Sequence, residues 1–303
     1  MSSVVQKLTK KGLIHPPRFI PSGMVLEVVM GSVAYACNDK DSSDMDIYGV
    51  TMPPKHFLFP HLAGEITGFN KTERFETWQA HHIDDKETNK QYDFQVYNIS
   101  RFFQLAMENN PNMVDALFVP RRCVLYSSPV GEKIRENRHL FLHKGCYHKF
   151  RGYSFAQLHR MNGSPTGKRK ELVERHGMDS KFAYHIVRLM LQAEQILTEH
   201  TLDLERNRGI LKSIRRGEWT KERIISFFEE KEKSLEVIYN DPNNTLPYRP
   251  DEDKIKNLLV ECIEMHYGSL GNNYIKIKGE SEFLEELLSN IEKRNRAIQG
   301  GNE

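Results

Sequence analysis

The stretch Met30–Val50, MGSVAYACNDKDSSDMDIYGV, sets Gly31-Ser32 near one end and Asp44-Met45-Asp46 near the other. Just upstream, Met24–Met30 (MVLEVVM) is apolar and rich in β-branched residues, the pattern of a buried strand. Asp44 to Val50 alternates, so Asp44, Asp46 and Tyr48 share one face of a second strand and Met45, Ile47 and Gly49 the other. Two carboxylates at i and i+2 then point the same way, close enough to bridge divalent cations. Uncompensated they repel each other, and a hard oxygen-seeking ion such as Mg²⁺ removes that repulsion. Gly31 lets the backbone approach a ligand with no Cβ in the way. Ser32 adds a hydroxyl at the start of a short helix whose free N–H groups suit phosphate. An Asp-x-Asp alone is usually a pair of exposed strand-end acids; here Gly-Ser, Ser43 and two apolar strands accompany it.

The surrounding chain allows a catalytic reading. At 303 residues, with 28 % charged and 39 % hydrophobic side chains, it can bury a sizeable core and is not disordered. No apolar run approaches a membrane span, and the opening MSSVVQKLTKKG lacks the apolar core of a secretory signal. Cys37, Cys123, Cys146 and Cys262 lie far apart, which reads as reduced thiols in a cytoplasmic setting rather than structural zinc. The net charge of +2 conceals a basic segment: Lys144 to Arg188 holds ten basic residues against Glu171, Glu174 and Asp179. Such a segment suits a polyanion or a solvated helical face, and charge alone does not choose.

Along the chain, strand patterns come first and helical ones later. A strand is expected near Arg74–Trp78 within an otherwise irregular Met52–Asp85, and another at Asp93–Tyr97. Ser100 reads as the N-cap of a helix that Asn110-Pro111 breaks, with a short helix over Met113–Phe118. Helical periodicity covers Phe150–Met161, Asp179–His200, Thr220–Tyr239 and Asp251–Tyr267, with a last helix near Ser281–Arg294. The expected fold class is α+β, a catalytic domain over residues 1–129 followed by a helical domain over 130–303 whose basic face turns towards the active site.

In that helical part Lys181, His185 and Arg188 fall at i, i+4 and i+7, one stripe of a helix. Three basic groups there could embrace a triphosphate, with Arg188 making paired contacts; a solvated stripe with a satisfied histidine is the plainer alternative. GSPTGKRK at Gly163–Lys170 is no P-loop: three residues separate its glycines, and Arg169 stands where Ser or Thr should be. It reads as a flexible basic loop, and Arg160, Lys168, Arg169 and Lys170 are the expected RNA contacts. His81-His82-x-Asp84-Asp85 reads as an exposed polar turn. Tyr147, Phe150, Tyr153 and Phe155 could stack bases but fit a helix core better.

The order Gly31-Ser32, Ser43-Asp44-x-Asp46, Val50 resembles the signature of polymerase-β-type nucleotidyltransferases. Such enzymes use a third carboxylate on an adjacent strand, for which Asp93, opening the strand Phe94–Tyr97, is the best candidate, ahead of Asp84 and Asp85. With Arg101-Phe102-Phe103, Asn110-Pro111, Gly152-Tyr153, Lys181-Phe182-Ala183-x-His185-x-x-Arg188 and Ile214-Arg215-x-Gly217, the chain looks like the RNA-repair-pathway polymerase-β family. Where a Glu would be expected the chain has Asp115, whose role stays open. The resemblance implies transfer of a nucleotide from an NTP to an RNA end. Two Mg²⁺ (or Mn²⁺) ions would sit on Asp44, Asp46 and Asp93, with phosphates on Gly31, Ser32 and Ser43. A protein AMP/UMP-transferase of the same fold and a non-catalytic nucleotide- or RNA-binding module are the alternatives.

Overall fold

The computed structural model describes residues 2–37, 44–59, 74–163 and 168–269. Residues 1–262 form one compact unit and residues 263–303 a second. Two helices, α1 (Val4–Lys10) and α2 (Phe19–Gly23), precede β1 (Met24–Val29), the single turn α3 (Gly31–Ala34), β2 (Asp44–Thr51) and the short α4 (Lys55–Leu58). Then come β3 (Thr77–Asp85), β4 (Lys90–Asn98), α5 (Ile99–Met107), α6 (Pro111–Phe118), β5 (Val124–Ser127) and α7 (Pro129–Glu136). Everything later is helical: α8 (Cys146–Asn162), α9 (Lys168–His176), α10 (Ser180–Glu199), α11 (Arg208–Arg215), α12 (Lys221–Asn240) and α13 (Glu252–Tyr267). None of the described helices is long and apolar enough to cross a membrane.

The five strands form one mixed sheet in the order β3-β4-β2-β1-β5. β1 is antiparallel to both β2 and β5, β3 is antiparallel to β4, and β2 runs parallel to β4. All six residues of β1 are buried, as its continuous apolar run requires. One face of the sheet packs Ile47, Tyr92, Phe94 and Val96 against Val5 and Leu8 of α1 and Ile20 of α2. Glu27, the one charged residue of β1, is wholly buried, and its carboxylate accepts the backbone N–H groups of Val4 (2.6 Å) and Val5 (2.9 Å). It thus satisfies two donors that the first turn of α1 leaves free.

The α+β class and the helical later part agree with the sequence reading, and several details differ. Asp93 lies three residues inside β4 rather than opening it, because the strand begins at the polar Lys90. The N-cap of α5 is Asn98, whose side chain accepts the N–H of Ser100 at 3.0 Å. His81 to Asp85 is not a turn but the second half of β3. Lys168 to Lys170 open the helix α9 instead of continuing a loop; residues 164–167, and the helix expected near Ser281–Arg294, lie outside the described residues. The long α10 matches its periodicity, with Asp179 as N-cap and His200, at φ 57°, closing it in the left-handed region.

Candidate active site

β2 and β4 pair in a parallel register that sets Asp46 directly opposite Asp93 and Asp44 opposite Gln91. Parallel partners project to the same side, so the three aspartates share one face. Tyr48, Gln95 and Tyr97 continue that face, the rings of Tyr48 and Tyr97 lying 6.0 Å apart. The other face is the apolar one under α1.

The Gly31 turn closes onto this carboxylate face. The N–H of Met30 donates to the carbonyl of Asp46 at 2.7 Å, bringing the end of β1 against β2. Gly31 then takes φ +63°, and a Cβ at this position would overlap the Asp46 carboxylate. Only glycine allows both the backbone angle and the approach. Asp46 is exposed to solvent. Partial burial, then Asp93 and Asp44, raise its pKa, while Lys181 opposes the shift. Lys181 itself is exposed at the start of α10.

A β-bulge frames the third aspartate. Ala80 pairs with Phe94 and Ile83 with Tyr92, which leaves two residues, His81 and His82, opposite Asp93 alone. His82, at φ 57°, donates its N–H to Asp93 Oδ1 at 2.7 Å. The Nδ1 atoms of His81 and His82 lie 3.7 and 3.9 Å from the same oxygen. Asp84 and Asp85 stay apart from this: Asp84 accepts from Gln91, and the buried Asp85 pairs with Lys11 at 2.8 Å. No three His, Cys, Asp or Glu side chains converge as a ready-made metal cluster among the described residues. The hard oxygen donors of Asp44, Asp46 and Asp93 on one open face are nevertheless the donor chemistry a divalent cation takes.

The cationic stripe of α10 is not what its spacing promised. Lys181 faces the aspartates, but His185 is half-buried, and burial with Lys181 and Arg215 pushes its pKa down to about 4. It is neutral and supplies no charge. Arg188 is buried, and its guanidinium donates to Asp115 Oδ2 at 2.8 Å and to the Tyr35 hydroxyl. That corrects its expected role as a phosphate clamp, because burial hides it and a carboxylate already occupies it. Asp115, whose place was open, is its partner.

The basic segment is also thinner than its composition. Lys144 is buried, its Nζ on the carbonyls of Tyr239 (3.4 Å) and Asp241 (3.3 Å) at the end of α12. Lys149 pairs with Glu108 and Arg151 with Glu232. Arg160 and Lys170 are exposed; Ser43 and the side chains of Lys168 and Arg169 lie outside the described residues. Tyr147 and Phe150 are core, whereas Tyr153 and Phe155 are exposed. Two features had no local sequence signal: the histidine bulge and the Tyr35–Asp115 contact. Arg215, part of the Ile214-Arg215-x-Gly217 pattern, donates to the Cys37 carbonyl at 3.0 Å. A surface cavity of about 430 Å³ lined by Tyr147, His148, Arg151, Glu232 and Tyr239 shares no residue with the site.

A mixed sheet that sets an Asp-x-Asp strand beside a third aspartate, with a Gly-Ser turn against them and helices following, is a polymerase-β-type nucleotidyltransferase arrangement. The chain belongs to the RNA repair pathway DNA polymerase beta family, whose model matches residues 18–237, and it is a nucleotidyltransferase. No curated protein matches it. Among solved structures it is similar to a nucleotidyltransferase-like protein from Exiguobacterium sibiricum, at 10 % identity and TM-score 0.29, covering 98 % of this chain and 90 % of that one. A chain of the CdnC:HORMA-deltaN complex of E. coli MS115-1 is similar at 11 % identity and TM-score 0.21, covering 88 % of each.

Proposed function

We propose that the protein moves a nucleoside monophosphate from an NTP to an acceptor hydroxyl at an RNA end and releases pyrophosphate. The observation that carries this reading is the register of Asp46 on Asp93 with the Gly31 backbone packed against Asp46. Asp44, Asp46 and Asp93 would hold two divalent ions, Mg²⁺ or Mn²⁺. When bound, such ions polarise the α-phosphate and neutralise the leaving pyrophosphate.

The chain's own groups do the rest. Gly31 and Ser32, with Ser43, seat the β- and γ-phosphates, and Lys181 offsets their charge from α10. The acceptor oxygen bonds to the α-phosphorus as the bond to the β-phosphate bridging oxygen breaks. The acceptor's proton passes to Asp93, whose Oδ1 is fixed by the His82 amide. Residues 1–129 carry the carboxylates, and the helical part from residue 130 contributes Lys181, with Arg160, Lys168, Arg169 and Lys170 as the proposed RNA contacts. Four buried, unpaired cysteines support a cytoplasmic setting.

The test is incubation with each α-labelled NTP and Mg²⁺, in separate arms with a tRNA pool and with total protein. Label on RNA that disappears with Asp44→Ala plus Asp46→Ala is the expected result. Label on protein alone would favour an AMP- or UMP-transferase of the same fold, and undiminished label in the double variant would remove the assigned site.

A further inference from the structure

Arg188, Asp115 and Gln192 form a polar cluster in the core. Asp115 is wholly buried in the middle of α6, and Arg188 and Gln192, one turn apart on α10, are 7 % and 4 % exposed. Arg188 Nη1 meets Asp115 Oδ2 at 2.8 Å and Gln192 Nε2 meets Asp115 Oδ1 at 2.7 Å. Burial pushes the Asp115 carboxyl up and the Arg188 guanidinium down to about 9, so the pair sits where charge is costly. Well-packed apolar side chains generally serve such a place at least as well, so the pair calls for a reason other than stability.

The geometry supplies one at Tyr35. Its buried hydroxyl donates to Asp115 and accepts from Arg188, and the guanidinium lies 4.6 Å from the ring centroid. Tyr35 is the residue immediately after α3, the Gly31 turn. Beyond it Ala36 takes φ 50°, a left-handed angle that a residue with a Cβ holds only when its surroundings enforce it. The enforcement is visible on both sides. Tyr35 is anchored by its hydroxyl; Cys37 donates its N–H to the Ser32 carbonyl at 2.8 Å and accepts from Arg215 through its own carbonyl. Residues 31–37 are therefore a short, strained segment pinned at its far end, while its near end rests against Asp46 with no room for a Cβ.

We infer that Asp115 and Arg188 are positioning residues that act through the Tyr35 hydroxyl to hold the Gly31-Ser32 phosphate turn in register with Asp46. The same helix fixes Lys181 relative to that turn, because Lys181 and Arg188 lie two turns apart on α10, about 10 Å along one rigid axis. Arg188 thus serves the triphosphate without touching it. This rests on the proposed nucleotidyl transfer, since the pinned turn matters only if it seats phosphates.

The experiment is equilibrium dialysis of the four labelled NTPs in Mg²⁺, alongside thermal melts, for wild type, Tyr35→Phe, Arg188→Lys and Gln192→Met. Tyr35→Phe removes only the hydroxyl and leaves the Asp115–Arg188 pair in place. It is expected to weaken the best-bound NTP at least 10-fold with little change in melting temperature. Arg188→Lys keeps the charge but loses the paired contact, and is expected to weaken binding in the same direction. Gln192→Met breaks the cluster on the side away from Tyr35; it should lower the melting temperature and leave NTP affinity within twofold of wild type. Equal affinity in wild type, Tyr35→Phe and Arg188→Lys overturns the positioning role alone, as does a Gln192→Met loss matching that of Tyr35→Phe. Failure of wild type to bind any NTP overturns the positioning role and the proposed function together.

Discussion

Glu27 gives the most quantitative test of the fold. Its carboxyl sits under α1 with no exposed surface, and burial pushes its pKa from 4.5 to about 7 in spite of the Val4 and Val5 amides and nearby Lys7. Below the unfolded value near 4.5 both states carry the proton and the group costs nothing. Between that value and about 7 the unfolded chain has lost the proton and the folded one keeps it, so stability falls as pH rises. Above about 7 the full penalty is present, about 3 kcal/mol. Glu27→Gln cannot titrate. Urea midpoints and slopes for wild type and variant at half-unit steps from pH 4.5 to 7.5 measure the difference. The wild-type stability relative to Glu27→Gln is expected to decline by about 3 kcal/mol across that window. Parallel profiles would mean that Glu27 is ionised in the fold throughout and that the α1 amides outweigh its burial.

Three further outcomes follow from the site and its supports. Gly31→Ala forces a side chain into the left-handed region and into the Asp46 carboxylate; urea unfolding should show a loss of about 1–2 kcal/mol, and nucleotide transfer should vanish. Asp46→Asn removes a charge facing Asp93, so metal-free protein in EDTA should melt higher than wild type, whereas added Mg²⁺ should raise the melting temperature of wild type only. His200→Gly relieves the positive φ that ends α10 and should add a few tenths to about 1 kcal/mol in the same urea assay.

The sequence showed β1 and β2 because a buried apolar run and a strict alternation are local patterns, and α10 because its apolar stripe persists over many turns. It missed most of β3, whose TWQAHHIDD is polar enough for an edge strand and carries one extra residue in a bulge. The carboxylate pair on β2 was legible from its spacing. Opposition of Asp46 to Asp93 was not, because register between strands 47 positions apart is set by tertiary pairing. Arg188 shows the limit most clearly. Its spacing from Lys181 says that the two share a face, but not that this face turns inward at one end and outward at the other. Its partner Asp115 is 73 residues away and leaves no periodic trace.

The parallel pairing of β2 with β4 also determines how this chain can change over time. A shift of one residue in that pairing would turn Asp93 to the apolar face and dismantle the site, so the ladder itself is inflexible. The β3 side of the sheet behaves differently: its one extra residue is taken up in the bulge opposite Asp93, and the β2–β4 register is unbroken beside it. An added residue at that outer strand is thus absorbed locally, without moving an aspartate.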